Sequence, residues 1–160
     1  MPRQVGANRT HCARALALAL VLALLLPGCE KWQLDAQVRE LCARDGGMKI
    51  YETVALPAEQ FDQWGMVKFY RPTGGEDALG PGYIYRQQDS YLRRGNPEMW
   101  RSHTAVIRRS DGKVLGEIVR YTRRGGDMPG PWADSSLTCP PVETTKPGLV
   151  RSVFVRRAEP

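Results

Sequence analysis

The chain predicts an α+β fold in which an N-terminal helix packs on an antiparallel sheet of four to six strands and a disulfide staples the two. Three observations carry this expectation. Leu34, Val38, Leu41 and Cys42 form one apolar stripe of helical period, followed by a series of short strand-like runs. Hairpin-type links join those runs, so the strand–helix alternation of a doubly wound parallel sheet is missing. Cys42 and Cys139 remain as an even pair once the N-terminal segment is set aside.

The stripe falls at i, i+4, i+7 and i+8, with Arg39, Glu40 and Arg44 off it. Asp45-Gly46-Gly47 ends it, glycine supplying a left-handed cap. Residues 48–56, MKIYETVAL, are rich in β-branched and aromatic side chains and predict a strand. Pro57 suits the first turn of a short helix carrying Phe61 and Trp64, ended by Gly65, and residues 66–70 predict a second strand. Residues 71–82 are a turn-rich loop. Residues 83–92 predict a strand whose Gln87-Gln88-Asp89 centre marks it as solvated or at an edge.

Residues 100–124 give the clearest element, a hairpin about Ser110-Asp111-Gly112. Pairing Arg109 with Lys113 sets Arg101 opposite Tyr121, His103 opposite Val119 and Ala105 opposite Glu117, with Ile107 and Leu115 on that face. Trp100, Thr104, Val106, Val114 and Ile118 take the other. Both faces are mixed, so a slip of one residue stays open. Residues 125–148 show no periodicity, and a connection that long is functional, disordered or, through Cys139, stapled. Residues 149–157 alternate and predict a last strand, with Val150, Ser152 and Phe154 on one side.

The first 28 residues have their own logic. Residues 15–26 are all apolar, a run of 12, whereas a helix crossing a bilayer core takes ~20 residues. Arg3, Arg9 and Arg14 precede the run and no acidic residue accompanies them. A basic segment before a short apolar one is the pattern of a secretory signal peptide, but the small-residue ending of an ordinary signal is missing. Leu26-Pro27-Gly28-Cys29 instead resembles the lipobox of bacterial lipoproteins. That resemblance implies diacylglycerol transfer to the Cys29 thiol, cleavage just before it, and acylation of the new amino terminus. Pro27 departs from the family's usual Ala, Ser or Thr.

Glu30 stands where Asp signals inner-membrane retention in enteric bacteria, so the same resemblance implies the periplasmic face of the outer membrane. An uncleaved anchor, or an ordinary signal with an incidental cysteine, is the alternative. The stretches DGGMKIYETVALP and RRSDGKVLGE also resemble pieces of uncharacterised proteobacterial lipoproteins, which implies no activity.

On this reading residues 1–28 are removed and residues 29–160 form a single domain. Losing 28 of 160 residues leaves 132, enough for one core, and losing three arginines lowers the net charge from +6 to +3. Cys29 is assigned to lipid, so Cys42 and Cys139 are expected to pair in an oxidising compartment; two separate thiols are the alternative.

His103 is the one histidine beyond the leader. On the hairpin register Glu117 is its diagonal neighbour, with Arg101 and Tyr121 nearby, an arrangement that could serve as an acid–base pair. The plainer reading is a sheet surface where unlike side chains satisfy one another. No nucleophile elbow, phosphate loop, zinc-binding helix or dinucleotide fingerprint is present, and no metal or cofactor is expected. Paired arginines at 93/94, 108/109, 123/124 and 156/157 cannot form a one-sided stripe along a strand. They protect strand ends, or serve an anionic envelope glycan or lipid.

Nucleic acid is not an expected partner, because the compartment is wrong and no binding motif appears. Met128 and Trp132, flanking the rigid Pro129 and Pro131, are candidates for a protein contact, or Trp132 folds back as a lid on the sheet. The expectation is therefore a lipid-anchored envelope protein that contacts another protein as an accessory subunit. A binder of anionic glycan or lipid, and a periplasmic hydrolase using His103 and Glu117, are the alternatives.

Overall fold

The computed structural model describes residues 30–127, 130, 133–141 and 146–158. Cys29, Met128 and Trp132 lie outside the described residues.

Helix α1 covers residues 30–45. It buries the stripe read from the sequence: Leu34, Val38 and Cys42 pack on Met99, Val119 and Tyr121, with Leu41 at the margin. The strands are β1 (Gly47–Ile50), β2 (Val54–Leu56), β3 (Tyr83–Arg93), β4 (Glu98–Arg108), β5 (Val114–Arg124) and β6 (Ser136–Cys139). Helix α2 (Lys146–Val153) and strand β7 (Phe154–Arg156) follow. Strands β1, β5, β4 and β3 lie side by side, antiparallel throughout. Strand β1 covers residues 116–119 of β5, and β6 covers 121–124 along the same strand. The result is an α+β fold with a five-stranded antiparallel sheet, plus a separate parallel pair of β2 and β7.

Cys42 and Cys139 are disulfide-bonded, tying α1 to β6 across 97 residues of sequence. Each face of the sheet is partly covered. Opposite α1, Tyr85, Val106, Leu115 and Ile118 form one core with Leu149, Val150 and Val153 of α2, Phe154, and Phe61, Val67 and Leu79 from the long connection between β2 and β3. Gly116 is what lets α2 approach, since a Cβ there would meet Val153 and Ile50 side chains at 2.9 Å.

The hairpin register follows the sequence reading from Glu98 opposite Arg124 to Val106 opposite Gly116. It then shifts, so Ile107 faces Val114 and not Leu115. This β-bulge turns Leu115 into the α2 core and leaves Val114 exposed, reversing the faces expected for both.

Four other expectations are corrected. The strand expected over residues 48–56 is two strands in different sheets. The amides of Tyr51 and Glu52 both donate to the Leu115 carbonyl, at 2.8 and 3.0 Å, and turn the chain at the bulge. Residues 66–70 keep only a bridge between Phe61 and Val67, because Asp62 accepts from the amides of Trp64 and Met66 in a side-chain-mediated turn. The helix after Pro57 is a single 3-10 turn, Ala58–Gln60, and Trp64 lies beyond it in solvent. The last expected strand is mostly helix: Leu149, Val150 and Val153 sit at i, i+1 and i+4, one side of α2, and only Phe154–Arg156 is extended.

Candidate functional site

Helix α1 stops at residue 45 while the sheet beneath it continues, and polar side chains fill the uncovered half of that face. Asp45, at the helix end, accepts from the Tyr121 hydroxyl at 2.8 and 3.0 Å and pairs with Arg101 at 3.7 Å. Arg101 and Tyr121 stand directly opposite each other on β4 and β5. The cation also suits its place beside helix C-terminal carbonyls.

One step further along, His103 is opposite Val119, and after it Ala105 is opposite Glu117. Strand β1 adds Lys49 beside Glu117. His103 Nε2 lies 2.7 Å from Glu117 Oε2, the diagonal contact that the register allows. Tyr51, brought back by the turn at the bulge, donates its hydroxyl to Glu117 Oε1 at 2.5 Å. Both carboxylate oxygens of a half-buried Glu117 are therefore engaged.

Electrostatics follow from these contacts. The Tyr51 hydrogen bond holds the Glu117 carboxyl below the ordinary glutamate range, with His103 and Lys49 acting the same way against partial desolvation. The same bond raises the Tyr51 phenol. Burial raises Tyr121, and Asp45 adds to it while Arg101 opposes. An ionised Glu117 orients the His103 ring through the 2.7 Å contact, as the carboxylate beside a catalytic base does in acid–base catalysis. Among the described residues no hydroxyl or thiol is hydrogen-bonded to His103, and no group of three potential ligands could hold a metal.

Of the residues singled out from sequence, His103, Glu117, Arg101 and Tyr121 thus share one face. Asp45, Lys49 and Tyr51 were missed. Lys49 lies on β1 and Tyr51 just beyond its end, but nothing in the sequence says that β1 pairs with β5. Among the described residues surface grooves lie elsewhere, one lined by Pro81, Gly82, Tyr83, Arg108, Arg109 and Ser110, another by Pro72, Gly75, Glu76, Tyr85 and Gln87.

Half of the paired arginines are matched by carboxylates. Arg108 bonds Glu52 and Asp111, Arg109 bonds Asp77, and Arg93 bonds Glu30. Arg123 is buried beside Asp35. This internal neutralisation leaves less charge for an anionic polymer.

Strand β3 has a free side. The amide of Arg109 donates to the Gly82 carbonyl, and by the antiparallel alternation the even residues of β3 then turn toward β4. Gln87, Asp89 and Tyr91 direct their backbone groups outward, where no strand among the described residues pairs with them. Residues 86–92 are all exposed, on both faces of the strand.

Compared with family models, with curated proteins and with solved structures, the chain matches none of them.

Proposed function

We propose that this chain is a lipid-anchored cell-envelope protein, facing the periplasm from the outer membrane, that acts by contacting another envelope protein. The lipobox-like Leu26-Pro27-Gly28-Cys29 supports the anchor, and the Cys42–Cys139 bond fits an oxidising compartment. The observation that carries the contact is the free edge of β3: an unpaired row of outward N–H and C=O groups is a template for an added strand.

The test is Asp89→Pro. Proline at this position removes an outward amide and no β3–β4 hydrogen bond. In-cell crosslinking followed by mass spectrometry should capture a protein partner with the natural chain and lose it with Asp89→Pro at equal abundance. The same partner captured in equal yield from both would sink the reading.

The 2.7 Å contact of His103 with Glu117 favours a second reading, acid–base hydrolysis of an envelope substrate. His103→Ala separates the two: loss of the cellular role at normal abundance supports catalysis, and an intact role supports contact.

A further inference from the structure

We propose that the end of the molecule beside Cys29 is a membrane-docking surface, in which Trp32, Tyr91 and Leu92 enter the headgroup region of a phospholipid bilayer and Arg94 and Arg124 meet its phosphates. The inference rests on the lipid-anchored reading and adds an orientation that the anchor alone does not impose.

Its basis is where the anchored residue joins the fold. Glu30, next in the chain after Cys29, pairs with Arg93, the last residue of β3. On the other flank of α1, Lys31 pairs with Asp127 at 2.5 Å. The first turn of α1 is thus clamped to the end of the sheet from which β3 leaves and β4 begins. A lipid on Cys29 brings that end to the bilayer and keeps it there.

The same end carries large apolar side chains that pack little against their own chain. Trp32 is 73 % exposed, Leu92 is 50 % exposed and Tyr91 is 47 % exposed. Tyr91 and Leu92 lie at the β3 irregularity, where one extra residue breaks the register with β4. The Tyr91 ring is 6.1 Å from that of Trp100, and the Arg94 guanidinium lies 4.3 Å above it. Arg124 is exposed opposite Glu98, at the same end of the β4–β5 ladder.

Aromatic rings with one polar edge partition to the headgroup level, and guanidinium groups bind phosphate bidentately. A bilayer held against these side chains removes their exposed apolar area from water.

The orientation has a consequence for the rest of the molecule. From Glu98 to Arg108 there are ten strand steps, about 33 Å at ~3.3 Å per residue. The Ser110-Asp111-Gly112 turn then points away from the membrane, and the His103–Glu117 face stands about halfway up. The free edge of β3 rises beside it, open to the periplasm.

The test uses the full-length, lipidated protein reconstituted in phosphatidylethanolamine and phosphatidylglycerol vesicles. Photoreactive benzoyl-phenylalanine replaces Trp32, Leu92 or Asp111, one position at a time, and adducts are identified by mass spectrometry. Phospholipid adducts from positions 32 and 92, several-fold above those from position 111, are expected. Adducts to polypeptide at 32 and 92 would reassign the surface to a protein partner and overturn the proposal. Equal adducts from all three positions, or none at 32 and 92, on a protein that still sediments with the vesicles would overturn it too. The anchor is read separately, from acyl label on Cys29. A chain without that label that stays soluble refutes the anchored reading and this orientation with it, and does so on a different measurement.

Discussion

The guanidinium of Arg123 donates to Asp35 Oδ1 at 2.7 Å from a site only 2 % exposed, joining β5 to the first turns of α1. The same side chain donates to the carbonyls of Gly125 and Ser135 and to the Ser135 hydroxyl, at 3.0, 2.9 and 2.9 Å. A charge this buried is tolerated only because its donors are satisfied together. Asp35→Ala leaves the cation buried with neutral acceptors alone. It should lower stability by about 3 kcal/mol, at the weaker end of the range for breaking a buried pair. Urea unfolding of the variant checks this, and an unchanged midpoint would mean that the pair contributes nothing.

The disulfide acts at the other end of α1. Closing a loop of about 100 residues restricts the unfolded chain by up to ~4.7 kcal/mol in the chain-entropy model, and removing a native bridge costs about 2–5 kcal/mol. Cys139→Ser should therefore lower the thermal midpoint, and the oxidised natural chain should run faster than the reduced one on a non-reducing gel. Equal mobility and equal melting with and without reductant would contradict both expectations.

Thr104 makes the reverse case. Its hydroxyl is buried in the sheet with no hydrogen-bond partner among the described residues. An unsatisfied buried hydroxyl costs about 1–3 kcal/mol, and valine fills nearly the same shape without it. Thr104→Val should raise stability by about 1 kcal/mol in the same urea assay. A lower midpoint would show that the hydroxyl is engaged.

What the sequence conveyed follows from which forces are local. The helical stripe ending at Cys42, the hairpin about Gly112 and the edge character of β3 each rest on a period or a turn within a few residues, and the fold follows them. Gly112 has φ +70°, the left-handed conformation that glycine supplies to such a turn. The errors lie where a distant segment decides. Leu149, Val150 and Val153 are consistent with either period over so short a run, and α2 forms because all three can bury against the sheet at once. The bulge at Leu115 leaves no local signature, yet it places Tyr51 and so completes the contacts of Glu117. His103 and Glu117 were legible because one hairpin carries both; Tyr51 follows the end of a strand paired across more than 60 residues of sequence.

Glu117 offers the sharpest reading of that site. Its folded-state pKa is depressed, first by the Tyr51 hydroxyl and then by His103, so its ionised form is the one the fold prefers. A depressed carboxylate contributes stability that is complete above its unfolded pKa and is lost as pH falls through the folded value. The contribution of Glu117 should therefore persist at neutral pH and disappear on acidification below the ordinary glutamate range. Tyr51→Phe removes the leading cause while keeping the ring, so the Glu117 pKa should rise toward its ordinary value. Carbon-detected NMR titration of the Glu117 carboxyl in both proteins measures this directly. A pKa unchanged or lowered in Tyr51→Phe would mean that the hydroxyl does not bond the carboxylate in solution, and the His103–Glu117 pair would lose its support from β1.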